Sequence, residues 1–283
     1  MNNLIRVITI SSLWCFASMT LADVNVKSDV VYGHKDGMAL VYHVLSPENA
    51  NGAAVVYMVS GGWFSRWAPA ERTASRFADL LDAGFTLIPV HHGSSPRYHV
   101  PDAYADVSRA IRHIRLNGDD YGIDTDRIGV TGGSAGGHLS LMLGLDADDG
   151  DKDAEDEVMR VSNKVAAVVA YYPPVDLRRM TGPSRRFPAL DFANELAASI
   201  SPILYVDPQD PPTLLIHGDE DTVVNINNSA IMQAEFEKEK IISDFVTIPG
   251  AGHGFRGDDA VKASKERLNW FNKYLVEQHN SAD

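Results

Sequence analysis

The segment from Arg127 to Leu145 leaves the chain few folds to choose from. A short apolar-leaning run, Ile128, Gly129, Val130 and Thr131, enters Gly132, Gly133, Ser134, Ala135 and Gly136. A second apolar run carrying Leu139, Leu141, Met142, Leu143 and Leu145 follows directly. A strand that meets a glycine-bracketed serine and turns at once into a helix is the context of a nucleophile elbow. The turn strains the serine backbone, and the flanking glycines remove side chains that would clash. Ser134 is therefore expected at the top of a sheet, next to a helix N-terminus, where negative charge is favoured. Two other glycine loops are excluded. A phosphate loop needs Gly-Lys-Ser/Thr, and no lysine is present here. The dinucleotide fingerprint needs glycines at i, i+2 and i+5, and no register from Gly129 to Gly137 supplies them.

The rest of the chain keeps the same rhythm. Strands are expected at residues 41–45, 53–59, 85–90, 127–131, 165–171, 213–217 and 245–248. Helices are expected at 67–83, 101–117, 135–145, 226–238 and 261–277. Strands alternating with helices predict an α/β fold, a mostly parallel sheet covered on both faces. With 283 residues and 45% hydrophobic content, the chain can bury one sizeable core. A net charge of −13 makes nucleic acid and anionic membrane surfaces poor partners.

Two regions stand apart. Residues 1–22 place Arg6 before an apolar stretch and end in Thr20 and Ala22 at cleavage-like spacing. That is the pattern of a secretory signal peptide and predicts a periplasmic or secreted protein. Cys15, the only cysteine, falls inside it, and Trp14 before it is a poor match to a lipoprotein signal, so no lipid anchor is expected. Residues 146–157 hold eight acids and one lysine. As a calcium loop this run fails at its fifth and sixth positions, Gly150 and Asp151, so it is expected to be a solvated surface loop.

An activated serine needs a base, and the base needs an orienting acid. In an elbow fold the chain order is serine, acid, histidine. After Ser134 comes a strand ending at His217, followed by Gly218, Asp219, Glu220 and Asp221. Asp221 is the expected acid, with Asp219 as runner-up. His253 then sits among Gly250, Gly252 and Gly254, before the last helix, and is the expected general base. An oxyanion needs preorganised donors. One is expected from the Ala135 amide, and others from Gly61 and Gly62 in the loop after an early strand. Trp63, Phe64, His91 and His92 are expected in the pocket wall. His91, His92 and His99 show no acid or cysteine spacing that fits a metal site.

With these residues in hand, the chain resembles the α/β-hydrolase superfamily over nearly all of residues 23–283. The likeness is closest to the branch of hormone-sensitive-lipase-like and feruloyl-esterase-like enzymes. That branch carries His-Gly-Gly-Gly-Trp at the oxyanion loop. Here Val59 and Ser60 stand in place of the histidine and first glycine, and the next two glycines are kept. The resemblance implies a three-layer single domain, with a possible small cap at 177–210. It implies hydrolysis of short acyl or aryl esters through an acyl-enzyme, with no cofactor, on acetyl or feruloyl groups of carbohydrate among other substrates. A prolyl-oligopeptidase-type peptidase and a non-catalytic binding module on the same scaffold are the competing readings.

Overall fold

The computed structural model describes residues 24–278, and the expected signal peptide lies outside the described residues. Strands β1 (Val24–Lys35), β2 (Met38–Pro47), β3 (Ala54–Met58) and β4 (Thr86–Val90) come first. They are followed by β5 (Ile128–Gly133), β6 (Ala167–Tyr171), β7 (Thr213–Gly218) and β8 (Ser243–Ile248). All eight form one sheet in the order β1-β2-β4-β3-β5-β6-β7-β8. The first two pairings, β1 with β2 and β2 with β4, are antiparallel, and the remaining five are parallel. Parallel neighbours bring the carboxyl ends of β3, β5, β6, β7 and β8 to one edge, where ligands bind in open α/β sheets.

The helices are α1 (Ala70–Arg76), α2 (Ala78–Asp82), α3 (Val100–Leu116), α4 (Ala135–Leu145), α5 (Asn227–Glu239) and α6 (Gly257–Phe271). They divide the hydrophobic core into two layers. Val107 and Ile111 of α3, Leu139 and Leu143 of α4, and Phe236 of α5 pack on one face of the sheet. Phe77, Leu80 and Phe271 pack on the other. The strands between them are apolar on both sides, as a doubly covered sheet requires. Every residue of α4 is buried, which fits a helix that is hydrophobic all round. The chain therefore has the expected three-layer α/β-hydrolase architecture.

Two differences from the sequence reading have local causes. Strand β1 was not expected, because half of its residues are exposed and polar positions interrupt the run. It forms a hairpin with β2 through Asp36 and Gly37, both with positive φ (48° and 80°). The single helix expected at 67–83 is two. Pro69 stands at the N-cap of α1, and the chain breaks at Phe77, whose φ of −120° is not helical. The segment at 177–210 folds as short 3-10 turns. It packs on α4, where the Ile200 carbonyl receives the His138 Nε2–H at 2.8 Å.

The acidic run is paired to helix α3. Asp148 grips Arg112 through both carboxylate oxygens at 2.7 and 2.6 Å, and Asp156 binds Arg109. A different acid is less well placed. Asp210 closes the turn that leads into β7 and accepts the Asp207 amide at 2.7 Å. Burial nevertheless pushes its carboxyl up to about 7, with nearby Asp207 adding to the shift. A raised carboxyl favours the folded state at low pH, and that contribution is lost as pH rises through about 7. Asp210→Asn is therefore expected to raise the melting temperature above pH 7, with the gain shrinking as pH falls toward 4, in paired thermal melts across that range.

Candidate active site

Ser134 lies between β5 and α4 with φ 55° and ψ −118°, a conformation non-glycine residues rarely hold without support. The support is close packing. A β-carbon on Gly132 would sit 2.5 Å from the carbonyl of Gly136, and one on Gly137 would sit 2.8 Å from the Tyr171 carbonyl. The Ser134 amide donates to the Tyr171 carbonyl at 2.9 Å, and its carbonyl accepts the His138 amide at 2.9 Å. Strand and helix thus clamp the serine from both sides.

His253 comes from the loop after β8, and Asp221 from the loop after β7. The His253 Nδ1–H donates to Asp221 Oδ2 at 2.7 Å. That bond leaves Nε2 of the neutral ring without a proton, as a general base requires. Asp221 is buried. Burial pushes its carboxyl up, but hydrogen bonds from His253 and from the amides of Val224 and Val223 outweigh this and hold it below the usual carboxylate range. His217, the other ring near Asp221, is occupied. Its Nε2–H goes to the Val224 carbonyl at 2.9 Å, and its Nδ1 accepts from Ser229 at 2.8 Å. The runner-up acid, Asp219, accepts the Gly250 amide at 2.6 Å and so ties down the loop that carries His253.

Ser134, His253, Gly61, Ser60, Phe64 and Tyr172 line one open cleft of about 450 Å³. Tyr172 is the wall that sequence reasoning missed. Its ring lies 4.6 Å from that of His253, and its position just past the carboxyl end of β6 was the available signal. Arg66, Arg76 and Tyr57 also line the cleft, and no sequence motif marks them.

The oxyanion loop differs from expectation in its details. Gly61 and Phe64 pair through both backbone hydrogen bonds at 3.0 Å, around a tight turn with φ 58° at Gly62 and 59° at Trp63. The Gly61 amide is consumed by Phe64, so Gly61 contributes shape and not a donor. The Gly62 amide at the turn tip and the Ala135 amide, first of α4 and without an intrahelical acceptor, are the candidate donors. Three of the expected wall residues point elsewhere. Trp63 is buried edge-on against His138, with ring centroids 5.5 Å apart. His91 is buried beside His43. His92 is buried behind the loop, and burial lowers its pKa to about 4. Its Nδ1–H donates to the Gly93 carbonyl at 2.8 Å, so its Nε2 accepts from the Ser60 hydroxyl at 2.9 Å. The His92 amide binds Ser65 Oγ, the Ser65 amide binds Ser94 Oγ, and the Ser95 amide binds the Trp63 carbonyl. The loop at 60–65 is thereby laced to 92–95. Of the four expected wall residues, only Phe64 lines the cleft.

A family model described as BD-FAE matches residues 43–236 of the chain. The chain belongs to the BD-FAE family. As a BD-FAE member it is similar to Esterase LipC of Mycobacterium tuberculosis, with 32% identity over 72% of this chain and 53% of that protein. It spans about half the length of the curated relatives it matches. A truncated carbohydrate esterase from gut microbiota superposes with a TM-score of 0.74 at 27% identity, covering 89% of this chain and 97% of that one. Thermogutta terrifontis esterase 2 phosphorylated by paraoxon gives a TM-score of 0.71 at 26% identity, covering 91% and 95%. The BD-FAE match begins at His43 and ends at Phe236, so it includes Ser134 and Asp221 and stops before His253.

Two outcomes follow from this geometry. Gly132→Ala is expected to displace the start of α4, lowering both the melting temperature and turnover, as read by thermal melts and ester assays. Ser60→Ala leaves His92 Nε2 buried without a donor, at a cost of about 1–3 kcal/mol. It is expected to lower kcat more than it raises KM in steady-state kinetics.

Proposed function

We propose that this BD-FAE protein is a serine carboxylic ester hydrolase acting through an acyl-enzyme. The observation that carries the reading is the 2.7 Å bond from His253 to a buried Asp221, beside a serine held at φ 55° in the same cleft. A positioned base next to a strained serine at a helix N-terminus serves acyl transfer. Named relatives that are esterases support the same reading. None of the relatives cited above is named as a peptidase or as a binding protein.

His253 Nε2 takes the Ser134 hydroxyl proton as Oγ attacks the ester carbonyl carbon. The resulting oxyanion meets the amides of Ala135 and Gly62, which are fixed before the reaction and need no reorganisation. Asp221 keeps the proton on Nδ1 and stabilises the charged ring. His253 then passes its new proton to the leaving alcohol as the carbon–oxygen bond breaks. Water, deprotonated by the same nitrogen, attacks the acyl-enzyme and releases the acid with Ser134 restored.

The substrates are short acyl or aryl esters. The open cleft, with Phe64, Tyr57 and Tyr172 in its walls, suits small or flat groups. The carbohydrate esterase neighbour makes acetyl or feruloyl groups on carbohydrate a natural choice. Residues 1–22 support export to the periplasm or beyond, where such polymers are met.

Wild-type protein is expected to hydrolyse p-nitrophenyl acetate and butyrate, and Ser134→Ala to lose about 10³-fold or more in kcat/KM. Asp221→Asn should fall by a comparable factor with KM little changed, because the wrong tautomer of His253 removes the base without touching the cleft. Equal activity in wild type and Ser134→Ala would sink the assignment.

A further inference from the structure

The charge of the cleft runs against the charge of the chain. The protein carries 38 acids against 25 lysines and arginines. Yet the residues lining the cleft around Ser134 include two guanidiniums, Arg66 and Arg76, and no carboxylate. Many arginines elsewhere are matched. Arg267 binds Asp79 through two contacts at 2.7 Å, Arg112 binds Asp148, and Arg127 binds Asp124. Among the described residues, neither Arg66 nor Arg76 takes part in an ion pair.

Arg76 is held in place without an acid. Its Nη1 donates to the Tyr57 hydroxyl at 3.0 Å. Its guanidinium carbon lies 5.4 Å from the Tyr57 ring centre and 5.5 Å from that of Phe77, within cation–π reach. A guanidinium held by one hydrogen bond and two ring contacts still has N–H donors that no acid among the described residues takes up, and its planar fork suits a carboxylate. Arg76 also stands where two spaces meet. A second cavity of about 130 Å³, lined by Phe77, Tyr171 and Phe255, shares Tyr57, Arg76, Gly133 and Tyr172 with the cleft. Arg76 is thus a common wall of the aromatic space and of the cleft that holds Ser134. Arg66 lies on the same loop as the oxyanion turn, three residues after Trp63.

We propose that the substrate is an ester that also carries a carboxylate close to the scissile carbonyl, recognised by Arg76 and Arg66. The proposal rests on the ester hydrolase reading and narrows its substrate class. The carboxylate belongs to the acyl group, as in the half-ester of a dicarboxylic acid, or to the alcohol, as in an esterified hydroxy acid or acidic sugar. Both present the same anion to the same guanidiniums.

The test uses two matched pairs near pH 7.5, where carboxylates are ionised. Mono-p-nitrophenyl adipate against p-nitrophenyl hexanoate places the charge on the acyl side. 4-Acetoxybenzoate against 4-acetoxybenzamide places it on the alcohol side. In at least one pair the anionic member is expected to have a kcat/KM about tenfold or more above its neutral partner. The pair that responds identifies the side. Arg76→Gln and Arg66→Gln are each expected to shrink that ratio, and Arg76→Lys to retain more of it than Arg76→Gln. Arg66 is exposed on a loop, so its variant reads the ratio even if Arg76→Gln fails to fold. Ratios at or below one in both pairs, with the neutral esters still turned over, overturn the proposal and leave the esterase reading standing. A preference that survives in both glutamine variants also overturns it. Inertness toward all four esters overturns both readings.

Discussion

A β-carbon on Gly132 would lie 2.5 Å from the Gly136 backbone, so strand β5 and helix α4 can meet as closely as they do only where no side chain intervenes. That approach forces Ser134 into its unusual φ and ψ. A residue in such a region costs on the order of 1–3 kcal/mol and persists only where its surroundings over-determine it. Here they do. Helix α4 is buried along its whole length, and the Tyr171 carbonyl holds the Ser134 amide. The rest of the site is arranged around this fixed point. The loops after β3, β7 and β8 bring the Gly61–Phe64 turn, Asp221 and His253 to the same sheet edge.

Charge is organised in two tiers around that point. Directly behind His253 the acid is buried, and hydrogen bonds from His253, Val223 and Val224 hold its carboxyl below the usual carboxylate range although burial pushes it up. Behind the oxyanion loop the charges are removed. His92 is neutral by burial, and its single acceptor nitrogen receives Ser60. A protonated ring there could not accept the hydroxyl, so the neutral state is part of the brace. Val59 stands where the resembled branch carries a histidine, and here the Ser60–His92 pair supplies a bond to the same loop from another strand end.

How much of this the sequence disclosed depended on whether backbone pattern or side-chain direction decided the matter. Ser134, Asp221 and His253 were legible because glycine context and chain order mark them, and the structure brings Asp221 and His253 together and lines one cleft with Ser134 and His253. The alternating sheet was legible because both-face burial leaves apolar runs. Strand β1 was not, because an edge strand exposed to solvent needs no such run. Trp63, His91 and His92 were placed at the right sheet edge but given the wrong direction, since sequence does not say which side of a loop a ring faces. Gly61 is expected from the sequence as an oxyanion donor, and only the folded turn shows its amide taken by Phe64. Arg76 had no signal at all, because an exposed helical arginine is ordinary until the cleft beside it is seen.

The reading stands on Ser134 as the activated nucleophile of the cleft. Labelling tests it most directly, because a phosphorylating agent reacts with the activated serine and stays there. Protein treated with paraoxon, then examined by intact mass and peptide mapping, is predicted to carry a single diethylphosphoryl group on the peptide containing Ser134. Esterase activity should fall in step with labelling. A label on another residue, or full loss of activity with Ser134 unmodified, would contradict the account.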